Sequence, residues 1–317
     1  MSVLILAEDV DATADEVVRA LGERAVPVHR VNTAWFPSQL RLDARLQGHR
    51  WTGVLQTPSR RVELEEVTAV WYRSPRAYRF PSGLSDAERA HAALEAKYGL
   101  GGVLASLPAL WVNHPARLAD AAYKPVQLVT ARRCGLNVPD TLITQDAGAV
   151  RLFAEEGASV TKLLGSNTLV EQGLRKLAFT QLLDRDGLAD LRGIEVTTHL
   201  VQRWVPKAYE VRLIVIGTEF TAAAIRSATP QGHLDWRADH DGAGYDLVPT
   251  PAAVRSGVAE LMQIMDLRYA ALDFVVTPGG EWVFLEINAG GQFGWIEERT
   301  GAPLIGQLAD LLARGIR

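Results

Sequence analysis

Along the first third of the chain, short apolar runs bounded by turn residues alternate with stretches whose apolar positions recur at helical spacing. The last third is dominated by β-branched and aromatic runs. The pattern predicts strand and helix in alternation first, and mostly sheet afterwards. Residues 3–7 read as a buried strand, 12–23 as a helix and 26–31 as a second strand. Shorter strands follow at 40–46, 51–55, 61–64 and 69–72. A long helix over about 85–106 and a strand at 110–113 close a first α/β lobe, residues 1–114.

Pro115 opens the next helix, because proline is pre-organised at the first helical position. Pro125 is costly inside a helix, so the pattern predicts a short helix to about 122, a break carrying Lys124, and a new helix over 125–134 ended by Gly135. A strand at 138–144, a helix at 146–156 and a strand at 159–164 holding Lys162 follow, then a small polar loop, Gly165-Ser166-Asn167-Thr168. These elements make a central unit, 115–196. The remainder, 197–317, carries strands at 197–205, 209–216 and 219–225, a helix at 251–266 and a final helix at 303–313. Residues 229–249, rich in Gly, Asp and His, read as a long loop without structure of its own, a kind usually functional or disordered.

Between those last two helices lie two apolar strands joined by Thr277-Pro278-Gly279-Gly280, with Asp273 on the first and Glu286 and Asn288 on the second. The turn residues mark a hairpin. An even-length loop centred on Pro278-Gly279 sets Asp273 opposite Phe284, and the period of two then puts Asp273, Phe284, Glu286 and Asn288 on one face. Asp273 and Glu286 become diagonal neighbours, roughly 7–8 Å apart. Two carboxylates side by side in an apolar sheet are costly unless a cation neutralises them. Two carboxylates and an amide carbonyl suit Mg²⁺ held between protein and phosphates. The plainer alternative is a solvated sheet face with two unrelated acids.

Composition narrows the classes. An apolar fraction of 48% in 317 residues describes an ordinary globular protein, and a net charge of −4 gives no basic field for nucleic acid. No apolar run approaches the ~20 residues of a membrane span. The N-terminus turns acidic at Glu8-Asp9, which reads as a first strand and not a signal peptide. Cys134 is the single cysteine, which excludes an intrachain disulfide and fits a reducing cytosol. Before Gly135 it reads as a structural thiol. The histidines lack metal-site spacing, and no Ser-His-Asp or Cys-His set stands out.

Cationic and polar positions complement the acidic hairpin. Lys124 precedes a helix, Lys162 ends a strand before the glycine-serine loop, and Arg212 lies inside the aliphatic strand Tyr209-Glu210-Val211-Arg212-Leu213. An arginine so placed is rarely buried without an anionic partner. Lysines act as point charges on phosphate, which glycine-serine backbone N–H groups approach closely.

With this ordered set of Lys, Lys, Glu-x-Arg, Asp and Glu-x-Asn the chain resembles the ATP-grasp superfamily over its whole length. The resemblance implies an α/β (α+β) fold with an N-terminal pre-ATP-grasp lobe, a central small lobe and a C-terminal antiparallel-sheet lobe, using ATP and Mg²⁺. It implies that Lys124, Lys162 and Ser166 meet the phosphates. Gln202, Arg203, Trp204 and Val205 would form the hinge at the adenine, Glu210 would bond the ribose, and Arg212 the γ-phosphate. Asp273, Glu286 and Asn288 would hold magnesium. Three stretches are similar to the ATP-grasp ribosomal peptide maturases, the microviridin-type or graspetide synthetases: Val70-Trp-Tyr-Arg73-Ser-Pro75, Lys124-Pro125-Val-Gln-Leu128 through Gly135-Leu-Asn-Val-Pro139, and Asn288-Ala-Gly-Gly-Gln292-Phe-Gly-Trp295-Ile-Glu297. The usual Asn-Pro-Asn-Gly-Gln run reads Asn-Ala-Gly-Gly-Gln here, and Ser74 follows Arg73 where a second basic residue is common.

That resemblance implies a cytoplasmic homodimer that cyclises a ribosomal precursor peptide. Asp or Glu side chains would be activated as acyl phosphates and joined to Ser/Thr hydroxyls or Lys amines. The rivals are a ligase adding an amino acid to a protein or peptide end, like ribosomal-protein glutamate ligases, and an inactive nucleotide-binding regulator. Arg73, after an apolar strand, and Arg237, in the 229–249 loop, are candidates to hold the acceptor carboxylate or its acyl phosphate. Arg73 could instead pair with a nearby acid.

Overall fold

The computed structural model describes residues 2–165, 168–171, 174–177 and 179–315. Its first lobe is a parallel sheet in the order Val28–Val31, Ser2–Leu6, Val67–Tyr72, Leu110–Val112. Every residue of Ser2–Leu6 is buried, as a central parallel strand covered on both faces must be. A three-stranded antiparallel sheet, Arg41–Gln47, Arg50–Gln56 and Arg61–Glu63, covers one side. The single helix expected over 85–106 divides at Gly99 into Asp86–Tyr98, opened by a Ser85/Glu88 capping box, and Leu100–Ala105.

The central sheet runs Gln181–Leu182, Ser159–Lys162, His199–Arg203, Thr141–Thr144, all antiparallel. His199–Arg203 therefore belongs to this sheet, although the expected division of the chain falls before it, at 196/197. The hairpin Thr168–Glu171/Leu174–Leu177, the strand Gln181–Leu182 and the helix Arg185–Ala189 were not visible in the apolar pattern. Each is short and carries too few apolar positions to show a period.

The third layer is a five-stranded antiparallel sheet in the order Gly244–Val248, Glu219–Arg226, Tyr209–Ile216, Tyr269–Val276, Trp282–Asn288. One face, with Leu213, Leu272, Phe274 and Phe284, packs on the helices Lys124–Arg133 and Ala252–Ile264. The other face divides. Ile214, Ile216, Tyr269 and Ala271 join the first lobe and the helices Ala12–Glu23 and Leu304–Arg314 in one core, whereas Glu210 and Asp273 line an open cleft, with Arg212 buried behind Asp273.

Two expectations are corrected here. Residues 229–249 are not a structureless loop: they form the helix Pro230–Leu234, a 3₁₀ turn at Trp236–Asp239 and the edge strand Gly244–Val248. Trp236 anchors the segment on Trp295, ring centroids 5.2 Å apart. The hairpin register also differs. Thr277 N–H bonds Glu281 O, and Gly280 takes a φ of +84°, so the turn spans 277–281 and its length is odd. Val276 pairs with Trp282 and Phe274 with Phe284. A bulge then leaves Leu285 unpaired and sets Asp273 directly opposite Glu286. Phe284 points to the far face, against Phe274 at 5.6 Å.

Candidate active site

A cleft of about 580 Å³ lies between the central sheet and the ionic half of the five-stranded sheet. Its floor holds the two opposed acids, and each of their four oxygens has one cationic partner. Asp273 Oδ1 accepts from Arg212 Nη1 at 2.7 Å, and Oδ2 from Arg237 Nη2 at 2.8 Å. Glu286 Oε1 accepts from the same Arg237 nitrogen at 2.7 Å, and Oε2 pairs with Lys124 Nζ at 2.9 Å. Burial raises the Asp273 carboxyl against the pull of Arg212 and Arg237. Burial acts the same way on Glu286, but Lys124, Arg237 and Lys162 outweigh it and hold that group well below the carboxylate range. The opposed directions follow from position: Glu286 has lysines on its open side, and Asp273 is only 3% exposed.

Arg212 comes from a strand otherwise aliphatic, and its Nε is buried with no partner among the described residues. Gly291 lies against it; a Cβ there would stand 2.8 Å from Arg212 Nη2. The backbone after Asn288 thus closes over the guanidinium only because this residue is glycine. Asn288 is exposed at the cleft rim, its Oδ1 accepting from Gly290 N–H at 3.1 Å.

The opposite wall carries Lys162, whose Nζ donates to Gln202 Oε1 at 3.0 Å; burial pushes its ammonium down to about 8. Gln202 is fixed in turn by donating to Thr141 Oγ1. Trp204 and Val205 line the cleft, and neither the N–H nor the C=O of Val205 bonds a described residue, which leaves a free backbone donor and acceptor there. The Arg203 side chain is committed elsewhere, to Phe153 O, Ser159 Oγ and Glu156. Glu210 is buried, accepting from Lys207 Nζ at 2.6 Å and Trp236 N–H at 3.2 Å. Burial raises its carboxyl despite Lys207.

The structure thus brings Lys124, Lys162, Gln202, Glu210, Arg237, Asp273, Glu286 and Asn288 to one cleft, with Arg212 buried directly behind Asp273. It does not bring Arg73 there. That side chain is 4% exposed, pairs with Asp11 at 3.0 Å, donates to Gln292 and stacks over Trp71. The pairing with a nearby acid is what forms. Ser166 lies outside the described residues. Sequence reasoning missed Lys207, buried 5.2 Å from the Trp204 ring. It also missed Asp235, which accepts from Thr180 N–H and Oγ1 across the cleft and pairs with Arg237. A lysine next to a proline and an Asp-Trp-Arg triplet in a polar stretch gave no periodic signal.

Among the described residues no three His, Cys, Asp or Glu side chains gather as a closed metal cage. The donor set nevertheless fits Mg²⁺, which keeps waters and takes one or two carboxylates plus substrate phosphates. Asp273 and Glu286 face each other and share one guanidinium, so a single cation already bridges them in this structure.

Comparison with known proteins bears on this geometry. Residues 2–119 match the MvdD pre-ATP grasp domain. The macrocyclase MdnC from Microcystis aeruginosa MRC, solved with the precursor peptide MdnA, is 28% identical with a TM-score of 0.86, over 99% of this chain and 100% of that one. A ribosomal-peptide-associated ATP-grasp ligase from Chryseobacterium gregarium, in complex with ADP and a leader and core peptide, is 28% identical with a TM-score of 0.89, over 98% and 96%. The macrocyclase MdnB of the same Microcystis strain is 27% identical at 0.80, over 99% of both chains. The chain thus carries a pre-ATP-grasp domain over its first 119 residues and is similar over nearly its whole length to ATP-grasp ligases and macrocyclases of ribosomal peptides. Its mixed α/β architecture is the ATP-grasp fold. No curated protein matches this sequence significantly.

Proposed function

We propose that this protein is an ATP-grasp ribosomal peptide maturase, an ADP-forming ligase that closes rings in a ribosomally made precursor peptide. The observation that carries the reading is the set of cations about the opposed Asp273 and Glu286, with Arg212, Arg237 and Lys124 in direct contact and Lys162 on the opposite wall of the cleft. Phosphoryl transfer needs little covalent chemistry from a protein; it needs charge neutralisation and in-line positioning. Lys124, Lys162 and Arg212 take the nucleotide phosphates, and Arg212 Nε is a buried donor awaiting an acceptor. Val205 offers its free N–H and C=O to the adenine edge, and Glu210 faces the ribose. Asp273, Glu286 and Asn288 would hold magnesium, whose positive charge would offset that of the phosphates. Arg237 bonds both acids, and with their charge met by magnesium its guanidinium would be available to an anion of the peptide.

The peptide's Asp or Glu carboxylate attacks the γ-phosphorus, breaking its bond to the bridging oxygen; acyl phosphate and ADP result. A Ser/Thr hydroxyl or a Lys amine then attacks the acyl carbon, inorganic phosphate leaves, and the nucleophile's proton is lost to water or phosphate. Each ring costs the peptide one water. The first lobe would act as scaffold, the central sheet, His199–Arg203 included, as cover, and the five-stranded sheet as floor. Cys134, the single and buried cysteine, fits work in the reducing cytosol, and we extend the reading to a homodimer, as the family resemblance suggests.

The test is to incubate the enzyme and Mg–ATP with a short precursor peptide carrying repeated Thr/Ser and Asp/Glu at its C-terminal end. ADP release and loss of one water per ring are expected. Arg237→Ala should still bind nucleotide yet form no cyclised product. ADP release without any mass change in the peptide would overturn the proposal.

A further inference from the structure

Two buried side-chain amides hold the strand that carries Glu286 and Asn288. Trp282–Asn288 is the last strand of its sheet, and an edge strand turns alternate N–H and C=O groups away from its partner. Ile287 is such a residue. Its N–H donates to Gln127 Oε1 at 3.1 Å, and its C=O accepts from Gln127 Nε2 at 3.0 Å. The second hydrogen of that amide goes to Ala121 O at 2.6 Å. On the other side of Asn288, Asn113 Nδ2 donates to Ala289 O at 2.8 Å and Tyr269 O at 2.7 Å. Both amides are almost wholly enclosed, Gln127 at 3% and Asn113 at 2% exposure. Asn288 therefore sits between two pinned neighbours.

Gln127 lies one turn beyond Lys124 on the helix Lys124–Arg133. That helix grips the strand twice, through Lys124 on the Glu286 side chain and through Gln127 on the Ile287 backbone. We propose that Gln127 is a positioning residue for the metal–phosphate centre. It sets the register of helix against strand so that Lys124, Glu286 and Asn288 meet one metal–nucleotide complex together. The proposal rests on the reading of Asp273, Glu286 and Asn288 as the magnesium site. Edge coverage alone needs only bulk, which methionine supplies at similar volume; the register needs the amide's donor and acceptor.

Calorimetric titration of ADP into the full-length protein, with EDTA and with excess Mg²⁺, separates these roles. Wild type is expected to bind ADP more tightly with Mg²⁺. Gln127→Met should lose about 10–100-fold of that magnesium-dependent tightening, the usual cost of removing a residue that orients metal ligands, while its affinity in EDTA stays unchanged. Gln127→Glu keeps the acceptor for Ile287 N–H but sets a carboxylate against two carbonyls, and should behave likewise. Equal losses in both media, or none, would overturn the proposal. So would failure of both variants to fold, since Gln127 would then be structural. If Glu286→Gln retains the full magnesium effect, the metal assignment itself falls, a result distinct from failure of the pin.

Discussion

The two sheets that face each other across the cleft are built very differently. In the five-stranded sheet every residue of Tyr269–Val276 is buried, and the core beneath it draws on two helices as well. The central sheet rests, among the described residues, on a cluster of three buried side chains, Val150, Ile194 and Val201. The firm sheet carries the acids and Arg212; the thin one carries Lys162 and Gln202. Ligands that must sit within tenths of an ångström of a metal belong on the firmer scaffold. Groups that cover a nucleotide and let it go are better placed on the element with less to lose on opening.

The largest effect expected of this contrast is on turnover. Glu286→Gln should abolish peptide-dependent ADP formation, by roughly 10³-fold or more for loss of a preorganised charge at the phosphoryl centre, with circular dichroism unchanged. Near-normal turnover at saturating Mg²⁺ would break the assignment of catalytic geometry to the firm sheet.

Next comes stability. Phe284→Ala, which empties a fully buried site beside Phe274, should cost about 3–5 kcal/mol, read by denaturant unfolding of the five-stranded sheet. Val201→Ala removes far less surface and should cost about 2 kcal/mol or less, while raising hydrogen exchange in the strands Ser159–Lys162 and His199–Arg203. Similar costs at both positions would erase the contrast.

The smallest effect concerns Lys162, whose free-enzyme value near 8 lies below the usual lysine range because it is buried. Its charged form prevails below that value and is the form that binds phosphate. Nucleotide affinity should therefore fall as pH rises through 8, approaching about tenfold per unit well above it. Lys162→Arg, which stays charged, should flatten the profile. A flat wild-type profile from pH 7 to 9.5 would remove Lys162 from the phosphates.

How much of this was legible varied with the kind of signal. Asp273, Arg212 and Glu286 stood out because a charge inside an aliphatic strand is costly and therefore conspicuous. Tyr209–Ile216 and Ala12–Glu23 fell where the pattern placed them, the strand as a nearly continuous apolar run buried on both faces and the helix as one clear apolar face. The register of the hairpin was hidden, because a bulge at Leu285 depends on how Phe274 and Phe284 pack and not on turn residues. For Arg73 the sequence left holding a peptide carboxylate and pairing with a nearby acid both open, because its partners, Asp11 and Gln292, are distant in sequence. The segment 229–249 looked unstructured for the same reason: Trp295 and Thr180, which anchor it, lie in other elements.

The unpaired Leu285 has a further consequence. Residues before it count their partners from the turn, and residues after it count from the far end of the strand. The hairpin is thus two rulers joined by a slip joint. The five-residue turn 277–281 could lengthen or shorten, with the bulge absorbing the change, and Glu286 would still arrive opposite Asp273. The reactive end of this hairpin is insulated from its exposed tip, where substitutions and insertions accumulate most freely.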